Sequence, residues 1–152
     1  MNKLSSEDAA YIAGFIDGEG CISYARYKSG EGVNYQLAVI IGNTNLEVLE
    51  WICLVVGEGK PRPTKRKRNS KQMYVVRWCF SVAATLLEQV LPFLKVKRAR
   101  AALVLDICQK NKEQLFTRGI ANFGSLGVPP ELQALRQETY LKMKTLNKRG
   151  VN

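Results

Sequence analysis

The sequence predicts an α+β domain. Its expected plan is an αββαββα core with one four-stranded antiparallel sheet, followed by an extra C-terminal helix. Three observations carry this. Segments with strand-like alternation come in two adjacent pairs, at 21–42 and 61–82. Apolar positions at helical spacing precede, separate and follow those pairs. The chain has 152 residues, 46% hydrophobic and 24% charged, enough for one core and hardly for two. Two hairpins separated by a helix can join into one sheet with helices over one face and the other face open.

Taken in order, Ser5 or Ser6 can cap a first helix. Glu7 and Asp8 stand in its first turn, where the helix dipole favours acids. This helix is expected to end near Asp17, broken by Gly18 and Gly20. Residues 21–28 read as a strand, 29–32 as a turn and 33–42 as a second strand. In that strand Leu37, Val39 and Ile41 form an apolar face, and Gln36, Ala38 and Ile40 a mixed one. Asn43 or Thr44 is expected to cap a helix over 46–56 that stops at Gly57. A basic extended stretch at 61–69 and a strand at 73–82 pair about a turn at 69–72, with Tyr74, Val76, Trp78 and Phe80 inward and Arg77 outward. A short helix at 84–91 stops near Pro92, and a longer one covers 96–110. Residues 119–130 read as a glycine-rich loop and 131–146 as a last amphipathic helix. We therefore expect a core over 1–110, with 111–152 as a loop-and-helix extension of the same domain.

Composition narrows the chemistry. The chain carries 23 basic and 13 acidic residues, a net charge of +10, and no histidine. The charge favours a polyanionic partner, with nucleic acid first and a membrane surface second. Without histidine there is no Ser-His-Asp triad and no histidine metal site. No apolar run reaches the roughly 18 to 20 residues that span a bilayer. The first residues lack the layout of a signal peptide. An intracellular setting, in a prokaryotic cytoplasm or an organelle, is the expectation. Cys21, Cys53, Cys79 and Cys108 are far apart in apolar neighbourhoods and read as buried free thiols.

Two features carry chemistry. The first is the run YIAGFIDGEGCI, residues 11–22. Ala10, Gly14 and Gly18 recur every four residues and form one side-chain-poor face of the first helix. Such a face suits close approach of a second copy of the helix, or packing against the chain's own sheet. Asp17 falls in the last turn, where the dipole disfavours an acid, and Glu19 lies just beyond. Carboxylates and backbone carbonyls are the ligands of a hard cation such as Mg²⁺. Paired about a two-fold axis, two Glu19 side chains and the terminal carbonyls would converge; otherwise this is a solvated helix end.

The second feature is positive charge. Arg62, Arg66 and Arg68 share one side of an extended segment, Lys65 and Lys67 the other, and Lys71 and Arg77 follow. A two-stranded ribbon fits a major groove, where arginine reads guanine edges. Lys95, Lys97, Arg98 and Arg100 crowd a helix start, which is unfavourable unless an anion is near. Lys142, Lys144, Lys148 and Arg149 crowd the far end of the chain.

With these residues in view, the chain resembles the LAGLIDADG homing endonucleases. Residues 12–20, IAGFIDGEG, match the nine-residue motif in its small residues, its first acid and an acid at the eighth position. Residues 91–97, LPFLKVK, resemble the later segment that opens a helix. The likeness covers roughly residues 7–108. It implies a saddle-shaped sheet set in the DNA major groove and, for a single motif, a homodimer on a long pseudo-palindromic double-stranded target. It implies Mg²⁺ or Mn²⁺ as cofactor, held by Glu19 and the Gly18 carbonyl. Relatives often carry Asp where this chain has Glu19. Lys97 would lie near the scissile phosphate, and Asn45 would take the place of a water-positioning glutamine. Asp17 would be structural, at the dimer helix end with Ala10, Gly14 and Gly18. Gln36, Arg62, Lys65, Arg66, Lys67, Arg68, Lys71, Arg77, Arg98 and Lys142 are the DNA-contacting candidates. The implied activity is intron-encoded, site-specific phosphodiester hydrolysis. An RNA-splicing maturase, a DNA-binding regulator without cleavage and a basic coat protein are the competing readings.

Overall fold

In the computed structural model, which describes residues 1–30, 32–65, 70–118 and 127–148, the chain opens on α1 (Ser6–Glu19). Ser5 caps it. Its Oγ accepts the Asp8 N–H at 3.1 Å and donates to the Asp8 carboxylate at 2.8 Å. Strands β1 (Gly20–Ser29) and β2 (Gly32–Asn43) follow as an antiparallel hairpin in which Ile22 faces Val39 and Tyr24 faces Leu37. Then come α2 (Leu46–Val56), the two-residue strand β3 (Arg62–Pro63), β4 (Tyr74–Cys79), α3 (Phe80–Val90), α4 (Arg98–Thr117) and α5 (Pro130–Leu146). The sheet order is β1-β2-β4-β3, antiparallel at every junction. The αββαββα order and the C-terminal helix match the expectation.

The core fills one side of the sheet. Ile22, Val39 and Trp78 stand in one row across β1, β2 and β4, with Ile41 and Val76 beside them, all buried. Ile12 and Ile16 of α1, Leu49, Ile52 and Val56 of α2, Leu86, Leu87 and Val90 of α3, and Val104 and Ile107 of α4 close over them. The α2 end requires glycine at position 57. Its φ is 74°, and a Cβ there would stand 2.7 Å from the Asn2 side chain. α5 lies antiparallel to α4. Arg136 holds Asn111 Oδ1 at 2.6 and 2.9 Å, and Arg100 holds the Leu146 carbonyl at 2.5 and 3.1 Å. Leu132 and Met143 of α5 enter the same core. The division at residues 110 and 111 thus falls inside α4.

Several boundaries move. α1 continues through Gly18 to Glu19, past the expected stop. Asn45, not Asn43 or Thr44, caps α2, its Oδ1 accepting the Val48 N–H at 3.2 Å. β4 ends at Cys79. Phe80 turns the chain with a φ of 53° and opens α3, so its ring is 58% exposed rather than inward. The inward parity of Trp78 does not carry across that turn. Among the described residues of the basic stretch, only Arg62 and Pro63 are strand. Their segment is tied on by Thr64 N–H to the Met73 carbonyl at 2.9 Å. Arg66, Lys67 and Arg68 lie outside the described residues, as do 119–126 of the expected loop. α4 starts two residues later than expected and runs seven further. The four cysteines are free, but Cys21 is exposed and only Cys53 is buried. Among the described residues, no helix is long and apolar enough to cross a membrane.

Candidate active site

The site is built where α1 becomes β1. Gly20 ends the helix, its N–H donating to the Ile16 carbonyl. A Cβ on Gly20 would come within 2.7 Å of Ile16 Cα and O, so glycine is required for the chain to leave the helix here. Just before it, the Glu19 side chain is exposed.

Asp17 does not project freely from the end of α1. Its carboxylate reaches 78 to 80 residues along the chain to the turn before α4. Oδ2 accepts the backbone N–H of Lys95 at 2.7 Å and of Val96 at 3.1 Å, and Oδ1 accepts that of Lys97 at 2.8 Å. Burial alone would push its pKa up. The three N–H groups and the Lys97 charge outweigh this and hold it below the usual carboxylate value. The acid is disfavoured by its own helix and stabilised at the start of another, whose first turn contains no acid.

Lys97 closes the link from the other side. Its Nζ donates to the Ile16 carbonyl at 3.0 Å and to the Asp17 carbonyl. A cation that is unfavourable at the start of α4 therefore rests on the negative end of α1. Burial lowers the Lys97 pKa, against the raising effect of the Asp17, Cys21 and Glu19 charges. Lys97 and Glu19 are thus electrostatic neighbours at one helix end.

Among the described residues, no group of three or more Asp, Glu, Cys or His gathers to hold a metal. What this helix end offers is the exposed Glu19 carboxylate and the Gly18 carbonyl, since the carbonyls of Ile16 and Asp17 already accept from Lys97. Both are hard oxygen donors, of a kind that fits Mg²⁺ or Ca²⁺. The helix face next to this end is bare: Gly14 and Gly18 are exposed, and a Cβ on either would meet nothing within 4 Å. Packing against the chain's own sheet therefore does not explain these glycines. Ala10 continues this exposed face. Beside it lies an apolar cluster, with Tyr11 50%, Trp51 36% and Leu54 75% exposed.

Among the described residues, the sheet face away from the core is largely open, with Cys21, Ala25 and Arg77 exposed and Ala38 buried, and it begins at the same place. Register puts Cys21, Ile40 and Arg77 in one row on it, and Ala25 and Gln36 in another. Gly42, Val75 and Arg62 form a third. Gln36, Arg62 and Arg77 therefore share one face. Lys65 and Lys71 are exposed on the segments flanking β3 and β4. Arg98 opens α4. Lys142 stands apart from the strands: it lines a groove between α4 and α5 with Ala99 and Leu103 and pairs with Glu138 at 2.7 Å. Asn45 is engaged as the cap of α2, so the oxygen that would position a water already accepts a backbone N–H. The contribution of Asp17 to the Lys97 turn was not legible in the sequence. The only signal was an acid in an unfavourable helix position.

The description "LAGLIDADG endonuclease" belongs to the family whose model matches residues 12–112. DNA endonuclease I-CvuI of Chlorella vulgaris is 36% identical over 107 residues, which span 66% of this chain and 63% of that protein. The chain therefore covers less than two thirds of that relative's length. Among solved structures, homing endonuclease I-CvuI in complex with a DNA target in 2 mM Mg, the DNA not cleaved, superposes with a TM-score of 0.71 at 24% identity, covering 97% of this chain and 89% of that one. The archaeal intron-encoded homing endonuclease I-Vdi141I complexed with DNA superposes with a TM-score of 0.70 at 17% identity, over 96% and 87%. At these identities the superpositions establish the shared fold.

Proposed function

The chain belongs to the LAGLIDADG endonuclease family, and from that premise we propose that it is a homodimeric, metal-dependent homing endonuclease that cuts both strands of a long pseudo-palindromic DNA site. The observation that carries this reading is the continuity of the two surfaces. The exposed Glu19, with Lys97 beside it, stands at the head of an uncovered sheet face bearing Arg77, Gln36 and Arg62.

In this reading the bare Ala10, Gly14 and Gly18 face pairs with its copy, bringing two α1 ends together. The side-chain-poor ridge lets two backbones approach closely, and the neighbouring Tyr11, Trp51 and Leu54 supply apolar contact. Glu19 of each protomer and the Gly18 carbonyl would hold Mg²⁺ or Mn²⁺. When bound, the cation supplies Lewis acidity toward the attacking and leaving oxygens of the phosphodiester. The chain's own residues do the remainder. Arg77, Gln36 and Arg62 set the register of the groove. Lys65 and Lys71 neutralise phosphates. Lys97 places a proton-bearing ammonium beside the reacting phosphate, where it offsets developing charge and can pass a proton through ordered water. The protein is expected to act inside the cell, where such DNA is found.

The test is a pool of randomised duplexes incubated with the protein and Mg²⁺, followed by sequencing of the cut ends. Recurrent paired ends around a pseudo-palindrome establish the proposal. Selective retention without cutting would leave a DNA-binding regulator, or a maturase if structured RNA competes. Retention of all sequences alike would leave a coat protein.

A further inference from the structure

We propose that Asp17 is the positioning residue of this reaction: it fixes the turn that carries Lys97 and so sets where the Lys97 ammonium stands beside Glu19. The inference rests on the nuclease reading above and adds a role for a side chain that touches no substrate.

The turn at 95–97 has few other restraints. It is neither helix nor strand, and Val96 is 66% exposed, so apolar packing holds only its flanks, at the buried Leu94 and Ala101. α4 begins with no side-chain cap at Lys97 and no acid in its first turn. The N–H groups of the turn before it need an acceptor from elsewhere in the chain. Asp17 supplies one for three successive residues, at 2.7, 3.1 and 2.8 Å. Lys97 Nζ then returns to the carbonyls of Ile16 and Asp17. Backbone and side chain of the same residue are therefore tied to the last turn of α1, one turn from Glu19. Repulsion works against this placement, since Arg100 lies close enough to lower the Lys97 pKa. Arg100 is itself held away on the Leu146 carbonyl. The body of α4 does not depend on the tie, because Ala101, Val104 and Ile107 anchor it in the core. Loss of the tie should therefore release the lysine without unfolding the helix.

A displacement of about 1 Å at a reacting centre can lower a rate on the order of 10²-fold. Asp17→Asn should bind the selected duplex in Ca²⁺ like the parent, and cut it about 10²-fold more slowly in single-turnover Mg²⁺ assays. In a Lys97→Ala background the same change should cost almost nothing further, since its effect runs through the lysine. Asp17→Glu, which keeps both carboxylate oxygens where Asn keeps one acceptor, should recover part of the rate. Amide exchange gives a readout free of activity: the N–H groups of Lys95, Val96 and Lys97 should be protected in the parent and lose protection together in Asp17→Ala, which removes both acceptor oxygens, while Val104 and Ile107 stay protected. An equal loss of rate in both backgrounds overturns the proposal, as does a parental rate in Asp17→Asn or unprotected amides in the parent. If Asp17→Asn does not fold, parental exchange and the Asp17→Glu rate decide it. If the parent cuts no duplex, the nuclease reading fails, and exchange still decides the tie.

Discussion

Tyr11 meets Trp51 edge-on, with ring centroids 5.2 Å apart, and both rings remain exposed at the border of the bare Gly14 face. Among the described residues, nothing covers this cluster or the adjoining helix backbone. Gly14→Leu adds a side chain where the chain itself has nothing within 4 Å. The variant should fold with an unchanged circular dichroism spectrum and behave as a monomer in light scattering, where the parent is expected to be a dimer. A folded variant that stays dimeric would remove α1 from the interface.

Glu19→Gln keeps the size of the side chain and loses the charge proposed to hold a cation. DNA binding in Ca²⁺ should persist or tighten, because one negative charge near the phosphates is gone. Single-turnover cutting should fall by several orders of magnitude. Cutting at close to the parent rate by the bound variant would show that the metal is held elsewhere.

Arg77, central on the open sheet face, and Lys65, on its flank, should fail differently. Arg77→Ala should relax selection at one or two base pairs, at about 1 to 3 kcal/mol per position. Lys65→Ala and Lys71→Ala should weaken all sequences alike, each lowering the slope of log affinity against log salt by about one. Site selection repeated with each variant separates the two patterns.

Cys21 tests which sheet face meets DNA. It is exposed in the row with Ile40 and Arg77. Iodoacetamide at pH 8 should modify it first. Cys53, whose thiol burial pushes up to about 11, should react far more slowly. A bound cognate duplex should protect Cys21. Full labelling within the complex would place the DNA on another surface.

Asn45 should prove a stability residue. Asn45→Ala removes the α2 cap and should destabilise by about 1 kcal/mol, while Asn45→Asp restores the acceptor and the stability. Urea unfolding of the three proteins measures this. Full activity in Asn45→Asp would set aside a water-positioning role.

The parts of this fold legible in the sequence are those fixed by neighbours in the chain. Ser5 with Asp8, Gly57 and the alternation of Leu37, Val39 and Ile41 each act within a few residues, and α1, α2 and the first hairpin follow from them. Phe80 continued a strand parity while opening a helix whose apolar positions, Ala83, Ala84, Leu87 and Val90, lie further on. Both patterns fit that residue, and a left-handed φ at a non-glycine gives no local signal. The polar second half of α4 gave no strong helical signal, because part of what holds it is Arg136 of α5, 25 residues away. Within the site, motif and charge were legible from Glu19 and the basic stretch. The Asp17 tie was not, because it joins segments some 80 residues apart through backbone N–H groups that every residue shares.

The two ends of the sheet bear on how the free protein avoids clumping. An uncovered strand edge is a template on which another chain can pair. At one end β3 is only two residues long and contains Pro63, which has no N–H to offer. At the other, β1 is ten residues long, and Asn147, just past α5, donates to its Ile22 carbonyl at 3.3 Å. The C-terminal helix thus shields an edge that would otherwise recruit unfolded chains. A chain shortened before Pro130 should precipitate during refolding even where its DNA-facing residues are intact.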